Sequence, residues 1–166
     1  MNNPLHTLIR GITVAATAAA LVLVPLGTAS ATPAAQQLTS TDIGIDSAGD
    51  GTITGAIQWM QNHIGATAWE GLCEKAVENA YGTTGVWASA IAHWYGAINA
   101  GKAHPGNYSP PKGAFVYWNT SQFGHVGISD GAGGFYSSSI GGAIGHRTGY
   151  NYFVNYLGWS NAQVPQ

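Results

Sequence analysis

The chain has 166 residues, of which only 7% are charged, and its formal net charge is −2 at pH 7. Nucleic-acid binding needs a basic surface, and attachment to anionic membranes needs clusters of Lys and Arg, so the composition argues against both. The length suits one domain with a single hydrophobic core and is too short for two.

The first 31 residues have the organisation of a secretory signal peptide. Arg10 is the only charged residue before an apolar run over residues 11–26, and small residues follow at 29–31. We therefore expect export, with cleavage after Ala31, and a secreted or cell-wall location. The apolar run is short for a membrane span, which argues against a stable membrane anchor.

One domain is expected beyond a small polar segment. Residues 32–54 indicate a linker or loosely held arm, and residues 55–166 contain the domain. Its first part predicts a helix in "GAIQWMQNHIG" and a second in "WEGLCEKAVENAYG", beginning near Gly71 and ending before Gly82. A third helix is expected over residues 86–100. Its buried face should be formed by apolar side chains at helical spacing: Trp87, Ile91, Trp94, Tyr95 and Ile98.

The second part of the domain has the pattern of short strands. The segments "AFVYW", "HVGIS" and "FYSSSI" are strand candidates, and "DGAGG" predicts a hairpin between the last two. The aromatic segment "YNYFVNYLGW" is interpreted as a last strand or a wrapped tail. Helices followed by an antiparallel sheet make an α+β fold.

Cys73 is the only cysteine, so no disulfide can form within the chain. A single thiol in an exported protein indicates either an intermolecular partner or a reactive group. The first turn of a helix favours negative charge, so this position predicts a lowered thiol pKa and a nucleophilic thiolate. The alternative is a small buried apolar side chain on one stripe with Val77 and Ala80.

His125 is the best candidate for a general base. In "GHVGIS", alternation sends Val126 and Ile128 to the core and leaves His125 on the opposite face. Gly127, without a side chain, should leave open space around the imidazole. The alternative is a half-exposed strand histidine with no role.

A third polar group usually orients the base. If "HVGIS" pairs with "FYSSSI", Ser137 and Ser139 share the face of His125, and either hydroxyl can accept a hydrogen bond from the imidazole. The five histidines after the signal peptide show no spacing typical of metal ligands, so no metal or cofactor is expected.

Three segments together, "WEGLCEKAVENAYG", "PPKGAFVYW" and "GHVGISDGAGGFYSSS", resemble the NlpC/P60 superfamily of cell-wall cysteine hydrolases, including its CHAP relatives. The resemblance covers residues 56–139 and implies a papain-like core. It implies Cys73 as nucleophile, His125 as base and Ser137 as the third residue, 12 positions after the base. The sequence departs from the commonest family pattern in lacking Asp-Cys-Ser-Gly and in having serine at the third position.

The function implied by the resemblance is hydrolysis of an amide bond in bacterial peptidoglycan, as an endopeptidase or amidase. The expected partner is a peptide or glycan-peptide substrate, and the expected state is a monomer. Trp69, Trp94 and Trp118 are candidates for lining a substrate groove, with core packing as the alternative for each. Two other functions stay open: a non-catalytic wall-binding or interaction module, and an acyltransferase that uses the same Cys-His pair with an amine acceptor.

Overall fold

A computed structural model describes residues 48–162, in which three α-helices pack against one antiparallel sheet of six strands. The α+β architecture predicted from the sequence is therefore confirmed. The predicted signal peptide, its cleavage site and most of the polar arm lie outside the described residues. Within residues 48–162, no helix is long and apolar enough to cross a membrane.

The helices come first in the described chain: α1 (Ile53–Asn62), a 3-10 turn (Thr67–Trp69), α2 (Cys73–Ala80) and α3 (Ala90–Asn99). Thr52 caps α1, since its hydroxyl accepts a hydrogen bond from the Gly55 N–H at 2.9 Å. The helix thus begins two residues before the expected domain boundary at 55. Helix α2 ends as predicted, with Gly82 in the left-handed region at a φ of 74°.

Helix α3 differs from the prediction in its start and in its buried face. It begins at Ala90, where the Ser89 hydroxyl accepts from the backbone N–H of Ala92 at 3.3 Å. Tyr95 is 57% exposed and Ile98 is 41% exposed, so their assignment to the core was wrong. The buried stripe instead follows helical spacing from the true first residue: Ala90, His93, Trp94 and Ala97.

The sheet contains β1 (Ala103–Pro105), β2 (Phe115–Trp118), β3 (His125–Ser129), β4 (Gly134–Ser137), β5 (Gly145–Thr148) and β6 (Tyr156–Ser160). The strand order is β1-β6-β2-β3-β4-β5, and every neighbouring pair is antiparallel. Strands β2, β3 and β4 confirm the three strand candidates, and β6 shows that the last aromatic segment contains a strand. The sequence did not predict β1 or β5.

Both faces of the central strands are covered, which decides the environment of the candidate site. Val126 and Ile128 of β3 belong to the core formed with the helices, as predicted. The opposite face carries a second aromatic cluster that includes Trp118 and Phe135, with Phe153 packed against it. Strand β3 is consequently buried along its whole length, on the face of His125 as well as on the helical face.

Candidate active site

Cys73 and His125 line the same cavity, which has a volume of about 750 Å³. Cys73 is the first residue of α2, and His125 is the first residue of β3. The cavity lies between the start of α2, the loop over residues 84–90 and the β2–β3 connection at residues 120–124. The fold therefore brings together the two residues that the sequence singled out for nucleophile and base.

Ser137 orients His125 and fixes which imidazole nitrogen carries the proton. The Nε2 atom of His125 lies 2.8 Å from Ser137 Oγ, and the Ser137 hydroxyl donates to the Val126 carbonyl at 2.6 Å. Because a hydroxyl has one proton, Ser137 must accept from His125, so Nε2 carries the hydrogen. The lone pair of the neutral imidazole is then on Nδ1, which leaves that nitrogen to act as a base.

Ser139, the other candidate for this third position, does not contact the imidazole. Its hydroxyl accepts a hydrogen bond from the Gly71 N–H at 3.3 Å, and its φ of 59° turns the chain away from the strand. Strand β4 ends at Ser137, so the alternation on which Ser139 was proposed stops two residues earlier. Ser137 is therefore the partner of His125.

His125 is held among aromatic rings and is neutral at physiological pH. The Phe153 ring centroid lies 3.9 Å from that of the imidazole, and the Trp118 ring lies at 6.0 Å. Burial lowers the pKa of His125 to about 4, although the Ser138 backbone carbonyl favours the protonated form. His125 is 7% exposed, so the alternative of a half-exposed strand histidine was wrong.

Gly127 also has a different role from the one predicted. The space beside it is filled, since a Cβ atom there would lie 2.6 Å from the Tyr136 carbonyl oxygen and 3.1 Å from the Ser137 Cβ. Glycine is therefore needed for the close approach of β4 to β3. This close approach is what brings Ser137 within reach of His125.

The thiol of Cys73 is more basic than its helix position alone predicts. Burial raises the pKa of Cys73, and the backbone N–H groups of Val126, Glu74 and Cys73 itself act in the opposite direction. The carboxylate of Glu74 adds to the increase in the pKa. The effect of burial on the thiol pKa is larger than that of the helix N-terminus. The prediction of a lowered thiol pKa was therefore wrong, and the resting thiol is protonated.

The three tryptophans predicted to line a substrate groove do not line this cavity. Trp94 and Trp118 are buried in the two cores, and Trp69 is half-buried against the helical core. The tryptophan on the cavity wall is Trp87. Sequence reasoning missed it because the expected third helix placed it on a buried helical face, whereas it lies in the loop before α3.

Two buried carboxylates, Glu74 and Glu78, also line the cavity, on the stripe of α2 next to that of Cys73. Glu78 holds the loop before α3, because its carboxylate accepts from the N–H groups of Gly85 at 2.6 Å and Trp87 at 2.7 Å. Glu74 Oε1 lies 2.8 Å from His93 Nδ1 on α3. The spacing of Glu74 and Glu78 by four residues places them on one stripe of α2 but does not identify their partners.

Among residues 48–162, no three His, Cys, Asp or Glu side chains are grouped so as to hold a metal ion. Comparison with protein-family models, curated proteins and solved structures found no match for the chain. The function is therefore inferred from the geometry of the site and from the three sequence motifs.

Proposed function

We propose that this chain is a secreted cysteine hydrolase that cleaves an amide bond in bacterial peptidoglycan, on a papain-like NlpC/P60 fold. The observation that carries the proposal is the shared cavity of Cys73 and His125, with the imidazole oriented by Ser137. The substrate class comes from the sequence resemblance, and the predicted export places the enzyme where peptidoglycan is found.

The reaction starts from a neutral pair, because the resting thiol is protonated and the imidazole is neutral. The sulfur of Cys73 attacks the amide carbonyl while Nδ1 of His125 takes the thiol proton. The imidazolium then gives this proton to the leaving amine, and the carbon–nitrogen bond breaks to leave a thioester on Cys73. Water, deprotonated by the same imidazole, hydrolyses the thioester and restores the thiol.

The start of α2 provides hydrogen-bond donors for the negative charge that develops during the attack. The first N–H groups of a helix have no partner within that helix. The N–H groups of Cys73 and Glu74 already favour negative charge at the sulfur. We assign the N–H of Cys73 to the carbonyl oxygen in the tetrahedral intermediate, where one such donor is worth roughly 10²–10³ in rate.

Digestion of purified peptidoglycan under reducing conditions tests this proposal. The secreted chain, expected to be residues 32–166, is compared with Cys73→Ala and His125→Ala, and released fragments are identified by mass spectrometry. His104→Ala is the matched control, because this histidine bonds Asn161 at the end of β6 and does not line the cavity. We expect defined fragments from the wild type and from the control only, and their masses identify the bond.

Two outcomes would replace the proposal with one of its alternatives. A wild-type chain that sediments with the wall but releases nothing is a binding module, a reading that the protonated thiol and the neutral serine partner favour. Products that carry an added amine instead of water identify an acyltransferase. Equal release of fragments by the wild type and both variants would show that Cys73 and His125 take no part in the reaction.

A further inference from the structure

A second buried histidine, His93, is bonded to the residue that follows the nucleophile in the chain. His93 Nδ1 and Glu74 Oε1 are 2.8 Å apart, and both residues are buried. The His93 ring is stacked on Trp87 at a centroid distance of 5.3 Å and meets the edges of Phe115 and Tyr117. Glu74 directly follows Cys73, so this pair connects the first turn of α2 to α3.

The second oxygen of Glu74 is buried without a hydrogen-bond partner. A carboxylate oxygen in this position carries a desolvation cost that a purely structural contact does not explain. Glu78, one turn later on the same helix, has both oxygens bonded to backbone N–H groups. The two buried carboxylates of α2 therefore differ: the charge of Glu78 is fully solvated by the protein and that of Glu74 is not.

We infer that the Glu74–His93 pair is a positioning element for Cys73, which fixes the first turn of α2 and places an incompletely solvated negative charge beside the thiol. The inference rests on the proposed function in taking Cys73 as the reacting group. Its consequence is that the thiol keeps its proton until substrate and base are in place. Glu74 acts through Cys73, although it is one of the residues that line the cavity.

The other groups around Glu74 are consistent with this role. Glu78 on α2 adds negative charge, and Tyr117 on β2 is a neutral phenol whose pKa burial raises. Lys75 is exposed on α2, and His125 on β3 is neutral because burial lowers its pKa to about 4. His93 is thus the one buried basic group bonded to Glu74. Burial raises the pKa of Glu74, and its bond to His93 acts in the opposite direction.

The rate of Cys73 alkylation by iodoacetamide, measured from neutral to alkaline pH, tests the inference. Glu74→Gln keeps the shape of the side chain and removes its charge. We expect the midpoint of the rate profile to move to lower pH by about half a unit or more, which makes alkylation at pH 7 roughly two- to threefold faster. Glu78→Gln is the matched control, since this carboxylate is not among the groups that act on the thiol. Its midpoint should equal that of the wild type.

An unchanged midpoint in folded Glu74→Gln, or an equal shift in Glu78→Gln, would overturn the inference. If Glu74→Gln does not fold, ¹³C NMR of the wild-type glutamate carboxyls replaces it. The Glu74 signal should then show an inflection at the thiol midpoint that is absent in Cys73→Ala, and a signal without this inflection contradicts the inference. Neither readout uses peptidoglycan, so a failure of this inference can be distinguished from a failure of the proposed hydrolysis.

Discussion

Two of the buried histidines, His125 and His93, differ in what holds them. His125 and His93 each have a ring nitrogen 2.8 Å from a side-chain oxygen, and they are 7% and 3% exposed. The partner of His125 is the neutral hydroxyl of Ser137, whereas the partner of His93 is the carboxylate of Glu74. His125 lines the cavity, and His93 does not.

His125, with a neutral partner, is suited to accept a proton, whereas the charge is held by the Glu74–His93 pair. A carboxylate partner stabilises the imidazolium, while a hydroxyl that accepts one hydrogen bond mainly fixes the tautomer and the ring orientation. The low pKa of His125, about 4, keeps its base form available down to acidic pH. The charged partner is found on the histidine that packs behind the nucleophile, where it influences the thiol and the first turn of α2.

The largest expected difference between the two histidines is in activity. His125→Asn removes the base, and we expect the rate of peptidoglycan hydrolysis to fall by about 10²–10⁴ while the protein stays folded. His93→Asn leaves Glu74 without its partner, and we expect the free energy of unfolding to fall by about 3–5 kcal/mol. Rates per folded molecule and urea denaturation measure these effects. A His93→Asn protein with the stability of the wild type would contradict this division of roles.

A smaller effect is expected in the pH dependence of stability. Because the pKa of His125 is about 4 in the folded protein and near 6.5 in the unfolded chain, the unfolded chain binds more protons between these values. The free energy of unfolding should therefore decrease as the pH falls from 6.5 to 4, by about 3 kcal/mol at most. The raised pKa of Glu74 acts with the opposite sign.

Urea denaturation of wild type and His125→Asn across this pH range isolates the contribution of His125. Glu74 is present in both proteins, so its contribution cancels in the difference. The wild type should lose stability relative to the variant as the solution becomes more acidic. Parallel pH profiles would show that the imidazole is not held in its neutral form by burial.

Local sequence patterns predicted the parts of the site that depend on one element and its nearest neighbour. The cysteine at the start of α2 follows from helical periodicity. His125 and Ser137 follow from alternation across one hairpin. The geometry agreed for Ser137 because β3 and β4 are joined by a short turn and pair with Ser129 opposite Phe135, which puts Ser137 on the face of His125.

The parts that were missed depend on contacts between distant elements. The Glu74–His93 bond joins residues 19 apart on two helices, and periodicity on either helix does not reveal it. The predicted direction of the Cys73 pKa shift was wrong because burial depends on tertiary packing, which a position at a helix N-terminus does not reveal. Trp87 was misplaced because the Glu78 carboxylate, which accepts from the N–H groups of Gly85 and Trp87, holds the loop that precedes α3.

The two unpredicted strands depend on pairing with another strand. Strands β1 and β5 are three and four residues long, at opposite edges of the sheet, and lie among residues with low strand propensity. Each is held by pairing with its inner neighbour, β1 with β6 and β5 with β4. In β1, His104 pairs with Trp159 of β6, and the two rings stack at a centroid distance of 3.6 Å. A pattern within one segment cannot show a partner that lies more than fifty residues away.

The smallest expected effect concerns the neutral partner of His125. Ser137→Ala removes the hydroxyl that accepts from Nε2 and donates to the Val126 carbonyl. A hydrogen bond between neutral groups contributes about 1–1.5 kcal/mol, so we expect hydrolysis to fall roughly five- to tenfold, with a similarly small loss in the free energy of unfolding. Ser139→Ala is the control, because its hydroxyl bonds only the exposed Gly71 N–H.

The size of the Ser137→Ala effect shows whether the neutral partner of His125 only orients the ring or does more. A loss of roughly five- to tenfold, with Ser139→Ala like the wild type, means that orientation by a hydroxyl suffices for this base. A loss as large as that of His125→Asn would mean that Ser137 does more than orient the ring, and that the neutral partner is as important as a carboxylate. Equal losses in both serine variants would instead point to the chain segment around residues 137–139 as the element that positions His125.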